Sequence, residues 1–397
     1  MNPTEVQGTP MLKAATVTWV NKFSLGNGER LGRQLVEELG SLPDACWLFC
    51  ARREGLQSFL KGVAKAVETP YLIGCTTDGE IAGDGFHQDS AVLAGLVAPQ
   101  VDFHLCWEGN LGADGEDTGR RLARQLPGGV RYVQLFSDGL TGNGCALLRG
   151  MQDELGPTLP ISGGTAADGE RFQLTCQFAG NRLLTNAAVA LGFSGDFHLG
   201  LGVNSGWSPV GIGKKVTRAR GQFLYELDGE PALEVYRRFL GKHAEKLPAV
   251  GVEYPLALMD GASLCAHQEL DYPYLLRATM AVNPEEGSIQ FAGEIPQGAL
   301  VHLTCGDSQS LLQATEIAVR QALGELGGTK PALAFAFCCM ARRILLGRHT
   351  REEAQRIMME LGPVPLIGFY TYGEFSPAQQ GTPSVLHNET ATLAIIG

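Results

Sequence analysis

The sequence predicts an α/β protein with mixed sheets, two pseudo-repeated halves built from β-α-β-type modules. Apolar strand-like runs alternate with amphipathic helical stretches along the whole chain. A turn-bearing segment near residue 75 returns near residue 370 with its neighbours in the same order. With 397 residues, 44% hydrophobic and only 18% charged, the chain can bury a core. Its length fits two or three domains of roughly 100–200 residues each.

Strand-like runs cover 14–20, 45–51, 91–97, 101–106, 130–136, 187–193, 254–259, 299–304, 332–339 and 391–396. Between them, residues 24–39 place Leu31, Leu35 and Leu39 on one helical face. Pro231 opens a helix over 229–247 whose apolar face carries Leu233, Tyr236, Leu240 and then His243. Ser308 is a candidate N-cap for a helix over 308–326. Thr350 with Glu353 reads as a capping box ahead of Ile357, Met358 and Leu361. Hairpin-like stretches such as 207–227 interrupt the alternation, which argues for mixed sheets.

Three ordered matches carry the repeat. PYLIGCTTDGEIA (70–82) resembles PLIGFYTYGEFS (365–376), sharing Ile-Gly, Thr and Gly-Glu. Upstream, Ala51-Arg52-Arg53 matches Ala341-Arg342-Arg343; downstream, the run from His87 to Ala94 matches that from His387 to Ala394. A weaker middle copy, GTAADGE, stands at 164–170.

Composition excludes several classes. The net charge is −11 with no basic block, a poor basis for gripping nucleic acid or an anionic membrane. No apolar run approaches the ~18 residues of a membrane span, and residues 1–11 carry no secretory pattern. The ten cysteines are scattered, several inside apolar runs, and none forms C-x-x-C. The chain therefore reads as soluble and cytoplasmic. Glycine, 52 residues, is nearly double the usual share, which predicts many tight turns. Phosphate-loop, nucleophile-elbow, zincin, calcium-loop and kinase patterns are absent.

GWSPVGIGKKVTRARGQFLYELDGEPALEVY (206–236), FCCMARR (337–343), PLIGFYTYGEFSP (365–377) and LHNET (386–390) together resemble the FIST-domain sensory proteins. The resemblance implies a tail at 1–11, a FIST-N half at 12–222 and a FIST-C half at 223–397. It further implies signal transduction through small-ligand binding, so a binding protein rather than an enzyme is expected, with an enzyme built around Cys339 as the alternative. Haem that responds to nitric oxide, with a histidine kinase as regulated partner, belongs to one subset of the family; amino acids or small carboxylates are the alternative ligands. A homo-oligomer stays open.

Candidate ligand-binding residues follow from the repeated turns. Thr77, Asp78 and Glu80, and Thr371, Tyr372, Gly373 and Glu374, put hydroxyls and carboxylates just after strands, where clefts form in α/β folds. The competing reading is that they bond their own backbone turns. Arg342 and Arg277 suit a ligand carboxylate or an internal glutamate, with Glu80 or Glu374 as internal partners. His387 and Asn388 lie in the family-typical LHNET. Candidate haem ligands are His243, His267 and His302. Cys339, close to Arg342, is either a reactive thiol or a packed one.

Overall fold

A computed structural model describes residues 12–259 and 274–397. Three modules of the same plan make up the body of the protein. The first runs through strand Lys13–Trp19, helix Leu25–Leu39, strand Ala45–Cys50, helix Leu56–Val67, strand Leu72–Thr76, a short hairpin (Glu80–Ala82, Gly85–His87) and closing strand Ala91–Val97. The second repeats this with strands Val101–Gly109, Tyr132–Ser137, Ile161–Thr165, hairpin Gln177–Ala179 with Arg182–Leu184, and closing strand Ala187–Gly195. Its helices are Gly115–Arg124 and Gly144–Leu155. The third uses Leu199–Asn204, Leu333–Cys339, Leu366–Thr371, hairpin Glu374–Pro377 with Ser384–His387, and Ala391–Ile396. In each, the closing strand lies antiparallel between the first and second strands, and the second and third are parallel. The weak middle copy in the sequence is thus a full module.

Each hairpin leaves its own module. That of the second extends the sheet of the first, that of the third extends the second, and that of the first extends the third. Phe178 lies opposite Gly74, Phe375 opposite Gly163, and Ile81 opposite Gly368. The exchange closes a ring with an approximate threefold arrangement. Inside it the three sheets face one another over an aromatic core of Trp47, Phe49, Phe136, Phe193, Phe335, Phe337 and Phe369. Edge-on contacts such as Phe49–Phe136, with centroids 5.2 Å apart, link the first and second modules. Phe136–Phe337, at 5.7 Å, links the second and third.

Glycine serves close approach as much as turns. A Cβ at Gly74, Gly163 or Gly368 would lie 1.8–2.1 Å from the carbonyl oxygen of Leu48, Leu135 or Ala336 on the parallel neighbour. Gly28 and Gly62 likewise let two helices touch backbone to backbone. Strand Leu199–Asn204 escapes sequence reading for this reason: Gly200 and Gly202 lie against the carbonyls of Ala322 and Ala318 in helix Ser308–Glu325.

Residues 208–305 are inserted between the first strand and first helix of the third module. The described residues of this insertion, 208–259 and 274–305, form a separate sheet around Val216, Leu224, Leu256 and Phe291, covered by helix Ala232–Leu240. That helix is shorter than expected and passes into a 3-10 turn, Gly241–Lys246, so His243 is exposed rather than on an apolar face. The cap of helix Ser308–Glu325 is Asp307, one residue before the expected Ser308. The Ala-Arg-Arg match is out of register by two. Ala51 and Cys339 are the equivalent residues, because their amides donate to Ser90 and Thr390, which open the two closing strands.

Candidate functional site

The ends of the central strands interlock around the ring axis. Asp78 N donates to Tyr370 O, Ala167 N to Thr76 O and Thr165 N to Gly373 O. The turns that follow bring Asp78, Asp168 and Tyr372, one from each module, into a single polar cluster. Tyr372 donates its hydroxyl to Asp168 at 2.6 Å. Arg343 of the third module holds Asp78 through Nε at 3.0 Å and Nη2 at 2.9 Å, and also reaches Glu170. Asp78 Oδ1 is buried and has no hydrogen-bond partner among the described residues. Burial pushes the Asp78 carboxyl up to about 6, with Arg343 pulling the other way.

The turn of the second module is longer than its counterparts, and residues 168–175 cross over this cluster. Asp168 shapes the crossing by accepting the amides of Phe172, Gln173 and Leu174 at 2.9–3.0 Å. Burial works against its charge, but the Tyr372 hydroxyl and those amides outweigh it and hold the carboxyl below its usual range. Glu170 and Phe172 take positive φ, 60° and 50°, a strained conformation for such side chains. Phe172 stacks on Tyr372 at 4.7 Å, and Arg171 donates to Arg52 O at 3.2 Å. Asp168 and Glu170 were missed by sequence reasoning, and Arg343 was noted only as the neighbour of Arg342. Asp168 was visible as the acid of the middle copy, had that copy been weighted equally.

The repeated glutamates do something else. Glu80 takes the hydroxyls of Thr77 and Ser90, and Glu374 takes those of Thr371 at 2.5 Å and Thr390 at 2.7 Å. Both are fully buried staples between a turn and its closing strand. Burial raises them to about 8 and about 7. His387 is buried with Nε2 on Ser376 O at 3.0 Å, and burial lowers it to about 4, so it is neutral.

Arg342 pairs with neither Glu80 nor Glu374. Fully buried, it binds Glu353 through Nε and Nη2 at 2.8 and 2.6 Å, with further bonds to Ser205 O, Leu311 O and Thr315. Glu353 is accordingly no capping-box residue: it points inward, and Tyr370 donates to its second oxygen at 2.6 Å. Cys339 is buried, and burial with Glu374 and Glu389 nearby pushes its thiol well up. Arg277, also buried, donates to the carbonyls of Leu276, Glu294 and Leu386.

His243 is exposed and His387 is bonded to Ser376. His302 Nε2 would stand 2.7 Å from a Cβ at Gly213. His267 lies outside the described residues. Among the described residues no group of three or more His, Cys, Asp or Glu could hold a metal ion, and no helix is long and apolar enough to cross a membrane. A cleft of about 510 Å³ at the opposite end of the axis, between Lys13, Asp196, His198, Lys330 and Pro365, carries none of the candidate residues and no buried unpartnered group. The chemistry favours the Asp78 end.

The FIST N domain model matches residues 44–230 and the FIST C domain model residues 232–377. An uncharacterized protein of Mycobacterium tuberculosis (strain H37Rv) is 28% identical over 366 residues, 90% of this chain and 93% of that protein. One from Mycobacterium bovis is 26% identical over 379 residues, 92% and 94% of the two chains. Among solved structures, a cyanuric acid hydrolase from A. caulinodans aligns over 98% of this chain and 99% of its own at 11% identity and a TM-score of 0.37, too loose a likeness for any functional conclusion. With both domain models matched across most of its length, the chain belongs to the FIST family of small-ligand-binding signal-transduction modules.

Proposed function

We propose that this protein senses a small amino acid at the Asp78–Arg343 cluster and passes the signal to a partner protein such as a histidine kinase. The observation that supports this reading is the sharing of Arg343 between a buried carboxylate, Asp78, and a half-exposed one, Glu170. A ligand carboxylate replaces Glu170 on the guanidinium, a fork that arginine is built to make. The ligand ammonium meets Asp78 Oδ1, the acceptor without a partner among the described residues. Loss of the Glu170 tie then loosens residues 168–175, which keep the Phe172 stack and the Arg171 bond. The partner reads that surface.

Calorimetric titration with the common amino acids tests this. At least one is expected to bind, and Arg343→Gln is expected to weaken it tenfold or more, since charged hydrogen bonds contribute about 1.5–3 kcal/mol each. If none binds, or if Arg343→Gln binds as well as wild type, the reading fails. Haem with nitric oxide is the rival ligand. A stoichiometric Soret band after reconstitution, lost in a single His→Ala variant such as His267→Ala, would replace the amino acid with haem.

A further inference from the structure

We propose that the outer face of the second module holds a separate site for a small oxyanion, inorganic phosphate or the phosphoryl group of a small ester. Ser137, Thr165, Gly373 and Asn388 stand in register across four neighbouring strands. Ser137 pairs with Thr165, and Glu374 pairs with both Gly164 and His387, which sets Gly373 between Thr165 and Asn388. Two residues back on the same face, Leu135, Phe375 and Leu386 pack under helix Gly144–Leu155. A Cβ on Gly144 would lie 3.2 Å from Phe375 and 3.3 Å from Leu386. The row therefore lies at the N-terminus of that helix, beyond a strand-to-helix loop containing Gly139 and Gly142.

Ser137, Thr165 and Asn388 are 1%, 8% and 1% exposed. Yet Ser137 Oγ, Thr165 Oγ1 and both amide atoms of Asn388 have no hydrogen-bond partner among the described residues. Buried polar groups left this way are costly, so their presence together points to a ligand. The other modules provide an internal comparison. At the position of Thr165, Thr76 accepts the Cys176 amide at 3.0 Å and Tyr370 donates to Glu353 at 2.6 Å. Of the three modules, the second alone leaves this position open among the described residues.

Charge selects an anion. The helix start is the positive end of its dipole. The buried Arg277 guanidinium lies against Leu386 O, two residues from Asn388, and its bonds to the described residues all go to carbonyls. Of the neighbouring acids, Glu294 is held by Asn143 and Arg149, Asp138 by the amides of Leu140, Thr141 and Asn186, and Glu374 by Thr371 and Thr390, while burial pushes the Glu389 carboxyl well up, toward its neutral form. Asn143 Oδ1 already caps Cys145 and Ala146, so the contacts fall to side chains. The Thr165 hydroxyl and Asn388 Nδ2 donate to the oxyanion, Asn388 Oδ1 accepts from its protonated oxygen, and Ser137 flanks the site one strand beyond Thr165. With no side chain at Gly373, the Thr165 and Asn388 backbones stand two strand spacings, about 9–10 Å, apart, with Leu386 Cδ1 and Asn388 Nδ2 bordering the space between them.

Titration of the full chain with inorganic phosphate, at ionic strength held constant with chloride, is expected to show one site per chain. Gly373→Ala fills the gap, its Cβ 3.1 Å from Leu386 Cδ1 and 3.4 Å from Asn388 Nδ2, both side-chain ends able to give. Thr165→Val removes a hydroxyl at constant shape. Each is expected to melt like wild type in chloride and to bind phosphate at least tenfold more weakly. No phosphate binding by wild type, or unchanged binding in both variants, overturns the site. Glycerol phosphate binding more tightly than phosphate identifies an ester as the natural source; weaker binding identifies the free anion. Neither variant alters Asp78 or Arg343, so failure here and failure of the amino-acid reading are separate results.

Discussion

Replacing Arg342 by alanine is expected to destabilise the protein by about 3–5 kcal/mol, the usual cost of stranding one member of a buried ion pair. Glu353 would keep the hydroxyls of Thr315 and Tyr370. It would lose the only cation bonded to it among the described residues, at zero exposure. Ser205 O and Leu311 O would lose their donor as well. The loss should appear as a lower urea midpoint at unchanged slope. Arg342→Leu combined with Glu353→Leu should be less damaging than Arg342→Ala, because no charge is left behind; the freed Tyr370 hydroxyl keeps recovery incomplete. An Arg342→Ala protein within about 0.5 kcal/mol of wild type, the range of an ordinary surface substitution, would show that the pair contributes nothing.

Stability should fall by about 2 kcal/mol as pH rises from 6.5 to 8. Glu374 and Glu80 have folded values near 7 and 8 against an ordinary 4.5. In this window the unfolded chain has already released both protons while the folded chain still holds them. The unfolded state thus binds fewer protons, so unfolding becomes easier as pH rises. The slope is about 1.4 kcal/mol per pH unit for each proton withheld. Glu389, also raised by burial, acts in the same direction. His387, lowered to about 4, acts oppositely, but its contribution is complete above its ordinary 6.5. Melting temperatures across this range provide the check, and Glu80→Gln should flatten the upper part of the curve. A melting temperature that is constant or rises with pH would contradict the assigned protonation.

Much of this fold was legible because its strands are short apolar runs closed by Gly, Asp or Asn turns. The turn repeat located the strand ends where Asp78 and Tyr372 meet. Other features depend on partners far away in sequence. The Thr350–Glu353 spacing is that of a capping box, and it takes Thr315, Arg342 and Tyr370, brought in from other elements, to turn Glu353 inward. The hairpins carry no local sign of which sheet they join. Asp168 and Glu170 stand in the weak middle copy, but the extra residues between Glu170 and Thr175 that carry their role have no counterpart in the other turns. Cys339, beside Arg342 in sequence, meets Glu374 and Glu389 in space. Adjacency along the chain misjudged its electrostatics.

The ring of exchanged hairpins sets a timetable for synthesis. Hairpin 80–87 pairs with strand Leu366–Thr371, so most of the remaining chain must be made before its partner exists. At about 5–20 residues per second this is a wait of roughly 15–60 s. Meanwhile the first module can receive its guest hairpin, 177–184, as soon as the second has emerged. The second must wait for Glu374–His387 to cover Ile161–Thr165. A nascent chain paused between residues 200 and 366 therefore displays one unclaimed hairpin and one open strand edge of complementary kind. Two such chains on neighbouring ribosomes could satisfy each other in trans, and slow passage through the inserted 208–305 segment would prolong that hazard.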